Sequence, residues 1–230
     1  MSSVFDLTFT VDNKGAPTPL TLAIDQAVIA GWTGRDPAAR DKHIAELEAI
    51  GIARPATTPI YYRCSARRIT QADRIEVSGG DSSGEVEFVL IRAGGKTYVG
   101  VGSDHTDRKV ETYNITVSKQ MCDKPVAATL WPLEDVAAHW DRLILRSHAV
   151  IGGERQLYQE GTLAGMLPAA ELIERGFGGP LPEGTALFGG TFAARGGIRP
   201  ASRFEFEIED PVLGRSIQAG YDIVTLPILG

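Results

Sequence analysis

Apolar and polar residues alternate from the start of the chain. Phe5, Leu7, Phe9 and Val11 are separated by polar neighbours, the period-two pattern of a half-buried strand. Asn13-Lys14-Gly15 reads as a turn and residues 20–28 as its return strand. The period then changes. Ile44, Leu47 and Ile50 form an apolar stripe at helical spacing, with Asp36 placed to cap the helix, Pro37 at its first position and Gly51 as its stop. The Pro-containing stretch 53–59 is a connection. Beyond it the pattern is mostly that of strands. Residues 85–91 and 97–102 flank Ala93-Gly94-Gly95-Lys96, a hairpin signal, and 143–151 and 155–163 flank Gly152-Gly153, a second one. Residues 133–142 and 169–175 read as helices, the latter ended by Gly176, and 186–190, 203–209 and 217–226 as strands. There is no internal repeat and no low-complexity linker. The pattern predicts a mainly β fold with few helices (α+β), a single domain over residues 1–230 whose first 30 residues are a hairpin extension.

Composition narrows the functional classes. The 29 acidic residues outnumber 23 Lys and Arg, giving a formal net charge of −6, the opposite of the basic face a nucleic-acid binder presents. No apolar run approaches the ~20 residues a membrane helix requires, and the start lacks the basic and apolar regions of a secretory leader. Cys64 and Cys122 are too few for a disulfide scaffold, so a reduced, cytoplasmic setting is the expectation. The 26 glycines exceed the usual ~7 % and predict tight turns and close backbone approaches.

The hairpin makes a sharper prediction. Glu85 and Glu87 lie on one face of a strand because strand side chains alternate. If Gly94-Gly95 is a two-residue turn, Ala93 pairs with Lys96, Glu87 faces Gly102 and Glu85 faces Asp104. Three carboxylates then crowd one patch. Like charges directly opposite are destabilising, so the patch needs a counter-charge, and a hard divalent cation with oxygen ligands suits it. Gly102, opposite Glu87, leaves room for one. The competing reading is a solvated acidic strand face, as in Glu205-Phe206-Glu207-Ile208-Glu209, where the acids face solvent and the apolar residues the core. A second candidate is the pair His43 and Glu46, neighbours at three-residue spacing on the predicted helix. A carboxylate beside an imidazole raises its basicity and fixes its tautomer, the arrangement of a general base; the competing reading is an exposed helix pair beside Lys42 and Glu48. His105, His139 and His148 have no comparable partner and read as surface or satisfied core residues.

The order of these features resembles the fumarylacetoacetate hydrolase superfamily from about residue 30 to the C-terminus. Gly34-Arg35-Asp36 precedes His43-Ile44-Ala45-Glu46, followed by Glu85-Val86-Glu87, then Asp104-His105-Thr106-Asp107-Arg108 and Lys119-Gln120-Met121-Cys122-Asp123-Lys124-Pro125. Gly152-Gly153-Glu154, Gln159-Glu160-Gly161-Thr162, Met166, Leu181-Pro182-Glu183-Gly184-Thr185 and Gly189-Gly190-Thr191 complete the series. The resemblance implies a rolled, barrel-like mixed β-sheet, with residues 31–230 as the catalytic region, and a homodimer. It implies Mg²⁺ or Mn²⁺ held by Glu85, Glu87 and Asp104, and a small anionic 2-oxo or 1,3-dicarbonyl acid as substrate. The implied reaction is C–C cleavage, by hydrolysis or decarboxylation, through a metal-stabilised enolate. A hydratase or isomerase on the same site, or an oxo-acid binder without turnover, is the alternative.

In the same way His43 and Glu46 match a proton-moving dyad, Lys119 an active-site lysine with Lys124 as its rival, and Thr191 a residue holding a substrate carboxylate. Arg35 matches either a substrate contact or a structural ion pair. Gln159 matches a further substrate contact, with Gln156 nearby. The chain departs from the pattern at Ser103, Gly152, Thr162, Gly189 and Phe192, and at Tyr61-Tyr62-Arg63, where the family has a lysine. These changes alter the pocket and leave the three acids and the dyad in place.

Overall fold

The computed structural model describes residues 5–48 and 54–229, and of Phe5, Ala39, His43, Glu46 and Leu47 the backbone alone. Two sheets carry the architecture. The larger has eight strands in the spatial order Ala16–Ile24, Phe5–Asn13, Thr129–Pro132, Lys96–Ser103, Val86–Ala93, Thr185–Phe188, Gln26–Gly31 and Ile60–Cys64. It mixes antiparallel pairs with two parallel ones, Phe5–Asn13 on Thr129–Pro132 and Thr185–Phe188 on Gln26–Gly31, and curls into a half-barrel. The smaller sheet has five strands, Glu154–Thr162, Ile144–Ile151, Arg203–Asp210, Arg215–Leu226 and Arg74–Ser78. The expectation of a mainly β fold with few helices is met.

The central strand Val86–Ala93 is buried on both faces, which is why it reads as a nearly continuous apolar run. Val86, Phe88 and Leu90 join Phe204, Phe206, Ile208 and Tyr221 of the smaller sheet in one apolar cluster. Val89 and Ile91 point the other way, into a cluster with Ile29, Tyr62, Val126 and Phe188. Glu87 shares that second face and is a buried carboxyl in an apolar strand.

Several element boundaries differ from the sequence reading. The return strand is Ala16–Ile24, and a separate strand starts at Gln26, because Asp25 lies where the chain leaves one neighbour for another. Residues 133–142 are helical but broken, with non-helical dihedrals at His139. The helix Ala169–Phe177 passes through Gly176 and ends at Gly178, whose φ of 64° is the left-handed cap. A Cβ on Gly176 would lie 2.6 Å from the Tyr61 ring, so this glycine serves packing. The helix Pro37–Glu48 forms as expected, and Asp36 caps it by accepting from Ala38 N at 2.9 Å. Its expected stop at Gly51 and the apolar Ile50 lie outside the described residues. Among the described residues no helix is long and apolar enough to cross a membrane, and both cysteines are buried free thiols.

Candidate metal centre

The hairpin that positions the site forms in the predicted register. Gly94 and Gly95 both have positive φ, 58° and 76°, as a two-residue turn between right-twisted strands requires. Ala93 pairs with Lys96 and Glu87 with Gly102. Two residues further along, the Asp104 amide donates to the Glu85 carbonyl at 3.0 Å. Each of Glu85, Glu87 and Asp104 therefore offers a carboxylate oxygen within 4.8 Å of the other two. Gly102 has a different reason from the expected one. A Cβ there would lie 2.8 Å from the Pro125 carbonyl and 3.0 Å from the Phe188 ring, so the space is filled by protein, where Gly102 bridges to Val126.

Glu87 is 2 % exposed, and one of its oxygens accepts from Gly190 N at 2.8 Å. Burial, then the nearby Asp104 charge, push its carboxyl well above the ordinary range; Lys119 and the Gly190 amide oppose them. Burial alone would also raise Asp104, but Lys119 and Lys124 reverse its sign and hold it below the ordinary range. Lys119 is buried, donates to Asp104 Oδ2 and lies 3.7 Å from Glu85 Oε2. Burial would lower its pKa, yet Asp104 and Glu85 raise it, so it stays charged. Lys124 is equally buried but differently engaged. Its three donors go to the carbonyls of Lys119, His105 (2.7 Å) and Cys122 (3.0 Å). Asp104 Oδ1, 3.3 Å from Lys124, is thus left in its field with no hydrogen bond.

The sequence reading missed Arg108 as a site residue. Its guanidinium lies 3.0 Å from Glu85 Oε1, pairs with Glu111 at 2.8 Å and donates to Ser83 at 2.7 Å. Its signal was its place four residues after Asp104 in a motif already noted. It also missed the two short helices that aim these cations, Arg108–Glu111 and Ile115–Met121. Their signals were capping residues: Asp107 accepts from Val110 N and Asn114 from Val117 N, both at 2.9 Å.

The other candidates fall into three groups. Gln159 and Thr191 brace the strand that carries Glu87. Gln159 accepts from Val86 N at 3.0 Å and donates to Thr191 at 2.7 Å, and Thr191 donates to the Val86 carbonyl at 2.7 Å. Arg35 is engaged in a bidentate pair with Asp141 at 2.7 and 2.6 Å and donates to the Met166 carbonyl at 2.8 Å, the structural ion pair of its two readings. The backbones of His43 and Glu46 lie in the helix Pro37–Glu48, beside the buried Ile44, and their side chains are outside the described residues.

Of the remaining histidines, His105 is a satisfied core residue between Tyr221 OH at 2.8 Å and Ser82 at 2.9 Å. Burial, then Lys124 and Arg108, press its imidazole down to about 3. His139 does have a partner, contrary to the sequence reading: Nε2 lies 2.9 Å from the buried Asp210.

The oxygen-only donor set, its burial and an Asp104 Oδ1 that accepts no hydrogen bond among the described residues fit a hard divalent cation. Fold and hairpin together define the class: the chain has the fold of fumarylacetoacetate hydrolase-like proteins. Fumarylpyruvate hydrolase from Pseudomonas aeruginosa, solved in complex with Mn²⁺ and pyruvate, superposes with a TM-score of 0.62 at 15 % identity, covering 96 % of this chain and 97 % of that one. The 5-carboxymethyl-2-hydroxymuconate delta-isomerase from Mycobacterium smegmatis gives 0.61 at 14 % identity over 92 % and 84 %. A 2-keto-3-deoxyarabinonate dehydratase gives 0.60 at 14 % identity over 89 % and 74 %. Within that class, the family described as "Protein of unknown function (DUF2848)" matches residues 30–221, and the chain belongs to it. No curated protein matches the chain.

Proposed function

We propose that this chain is a divalent-metal-dependent enzyme acting on a small 2-oxo or 1,3-dicarbonyl acid, and that it cleaves a C–C bond by hydrolysis or decarboxylation. The observation that carries this reading is the convergence of Glu85, Glu87 and Asp104 around one buried point next to Lys119. These three side chains would hold Mg²⁺ or Mn²⁺. When bound, such an ion supplies Lewis-acid stabilisation of an enolate and a hold on the oxo-acid end.

The chain's own residues supply the rest. Lys119 places a permanent positive charge beside the anionic substrate. Arg108 fixes Glu85 in place. His43 and Glu46, three residues apart on the helix Pro37–Glu48, are the candidates to take and return the proton. Gln159 and Thr191 form the wall next to Glu87 on which a substrate carboxylate rests, and Arg35 ties Asp141 to the Met166 carbonyl. The solved proteins of this fold include a hydrolase, an isomerase and a dehydratase, so hydratase or isomerase chemistry on the same site is the second reading. The working form in this reading is a cytoplasmic homodimer.

The test is turnover of oxaloacetate and a panel of acylpyruvates with Mg²⁺ or Mn²⁺, with and without chelator. We expect release of pyruvate that stops on chelation and falls at least about a hundredfold in Glu87→Gln, the scale of losing a group that holds the reacting centre. Ion binding without turnover of any substrate in the panel would overturn the enzymatic reading.

A further inference from the structure

We propose that the ammonium of Lys119 occupies the divalent-ion position of the carboxylate triad and has to leave it before an ion can bind. The inference rests on reading that triad as a metal site. Its basis is a comparison of the three cations around the acids.

Lys124 cannot yield, because its three donors are taken by the carbonyls of His105, Cys122 and Lys119. Arg108 cannot yield either, because Ser83 and Glu111 hold it on the far side of Glu85. It binds Glu85 through Oε1 and leaves Oε2 to the centre. Lys119 is different. Among the described residues its ammonium bonds Asp104 Oδ2 and stands 3.7 Å from Glu85 Oε2, both of them triad oxygens. Among the described residues, its ion pairs are with Asp104 and Glu85. A group that bonds one acid and lies 3.7 Å from a second takes up oxygens that an ion held by all three acids would need.

The ammonium therefore supplies in the ion-free protein the counter-charge that three crowded carboxylates require. An alternative seat is at hand. The face of the Tyr62 ring lies 5.9 Å from Lys119 Nζ, a separation at which a cation is attracted by an aromatic ring. Tyr62 lies on the strand Ile60–Cys64, at the edge of the larger sheet. Ion entry moves Lys119 from Asp104 toward this ring, where its charge still faces the pocket.

The test is calorimetric titration of the intact protein with Mn²⁺, comparing wild type, Lys119→Met and Lys119→Arg. Removing a like charge a few ångströms from the ion should tighten Mn²⁺ binding about tenfold or more in Lys119→Met, and Lys119→Arg should bind no more tightly than wild type. A folded Lys119→Met that binds Mn²⁺ no better than wild type would overturn the proposal. Should that variant fail to fold, wild-type crystals grown with and without Mn²⁺ decide: the Lys119–Asp104 bond breaks when the ion enters, or it persists beside a bound ion and the proposal fails. Absence of Mn²⁺ binding in wild type and both variants would instead overturn the metal reading itself.

Discussion

Glu87 shows how one buried residue couples protonation, metal and stability. Its carboxyl titrates well above the ordinary range because it is buried beside Asp104 and Glu85. The folded chain thus keeps a proton there at pH values where the unfolded chain has lost it. Its contribution to stability is full below the unfolded pKa and disappears as pH rises through the folded one. A divalent ion held at this carboxylate would take the place of that proton and release it. The melting temperature of the ion-free protein should fall as pH rises above the ordinary carboxylate range, and the gain on adding Mg²⁺ should grow in the same direction. A Mg²⁺ gain independent of pH would contradict this assignment.

His105 has the opposite sign. Its imidazole is held down to about 3 by burial and the cations Lys124 and Arg108. The unfolded chain takes up a proton near the ordinary ~6.5 that the folded chain refuses. Stability is therefore lost as pH falls from there toward 3. Replacing His105 by Gln should flatten the acid limb of a stability–pH curve measured by urea unfolding.

At this scale the three acids were legible because two counting rules, strand alternation and turn register, meet on them. The cause of Gly102 was not legible, because strand period tells which face a residue takes but not which segment covers it. The His139–Asp210 pair was hidden for a related reason: 71 residues separate the partners, and only the fold joins them.

Among the elements, turns and short helices decide where the chemistry points. Gly94 and Gly190 both have positive φ, but an added Cβ at Gly94 meets open space, whereas at Gly190 it would lie 1.9 Å from the Thr33 hydroxyl. Gly94→Ala should cost about 1 kcal/mol, the penalty of a left-handed residue. Gly190→Ala should cost more than about 2 kcal/mol, adding a steric clash to that penalty, and should pull the amide away from Glu87. Thermal unfolding of the two variants measures the difference; equal losses would refute the close approach.

The long strands were legible because each spans several periods of its pattern, and the helix Pro37–Glu48 because Asp36 and Pro37 mark its start. The helices Arg108–Glu111 and Ile115–Met121 span one or two turns, too few for a stripe. Their caps, Asp107 and Asn114, were the available signal, and through them Arg108 and Lys119 are aimed at the acids. The break at His139 and the uninterrupted helix through Gly176 follow from tertiary contacts that a local rule does not see.

For the whole molecule, the net charge of −6 describes the surface poorly as a guide to the site. The acids on the strand Arg203–Asp210 were read as solvent-facing. They do lie opposite the buried Phe204, Phe206 and Ile208, and they are partly exposed and paired with Arg146, Arg155 and Arg203. At the site, Glu85, Glu87, Asp104 and Glu111 stand against Arg108, Lys119 and Lys124. A divalent ion would turn that near-balance to a positive surplus, as the proposed anionic substrate requires.

The account stands or falls on whether the hairpin acids bind an ion and the strand acids do not. Titration of the intact chain with Mn²⁺, followed by calorimetry, measures this directly in wild type, Glu87→Gln and Glu205→Gln. The account predicts one ion per chain in wild type, unchanged binding in Glu205→Gln, and a loss of at least about tenfold in affinity in Glu87→Gln, as expected for removing a charged ligand. Wild-type binding that survives unaltered in a folded Glu87→Gln would contradict it.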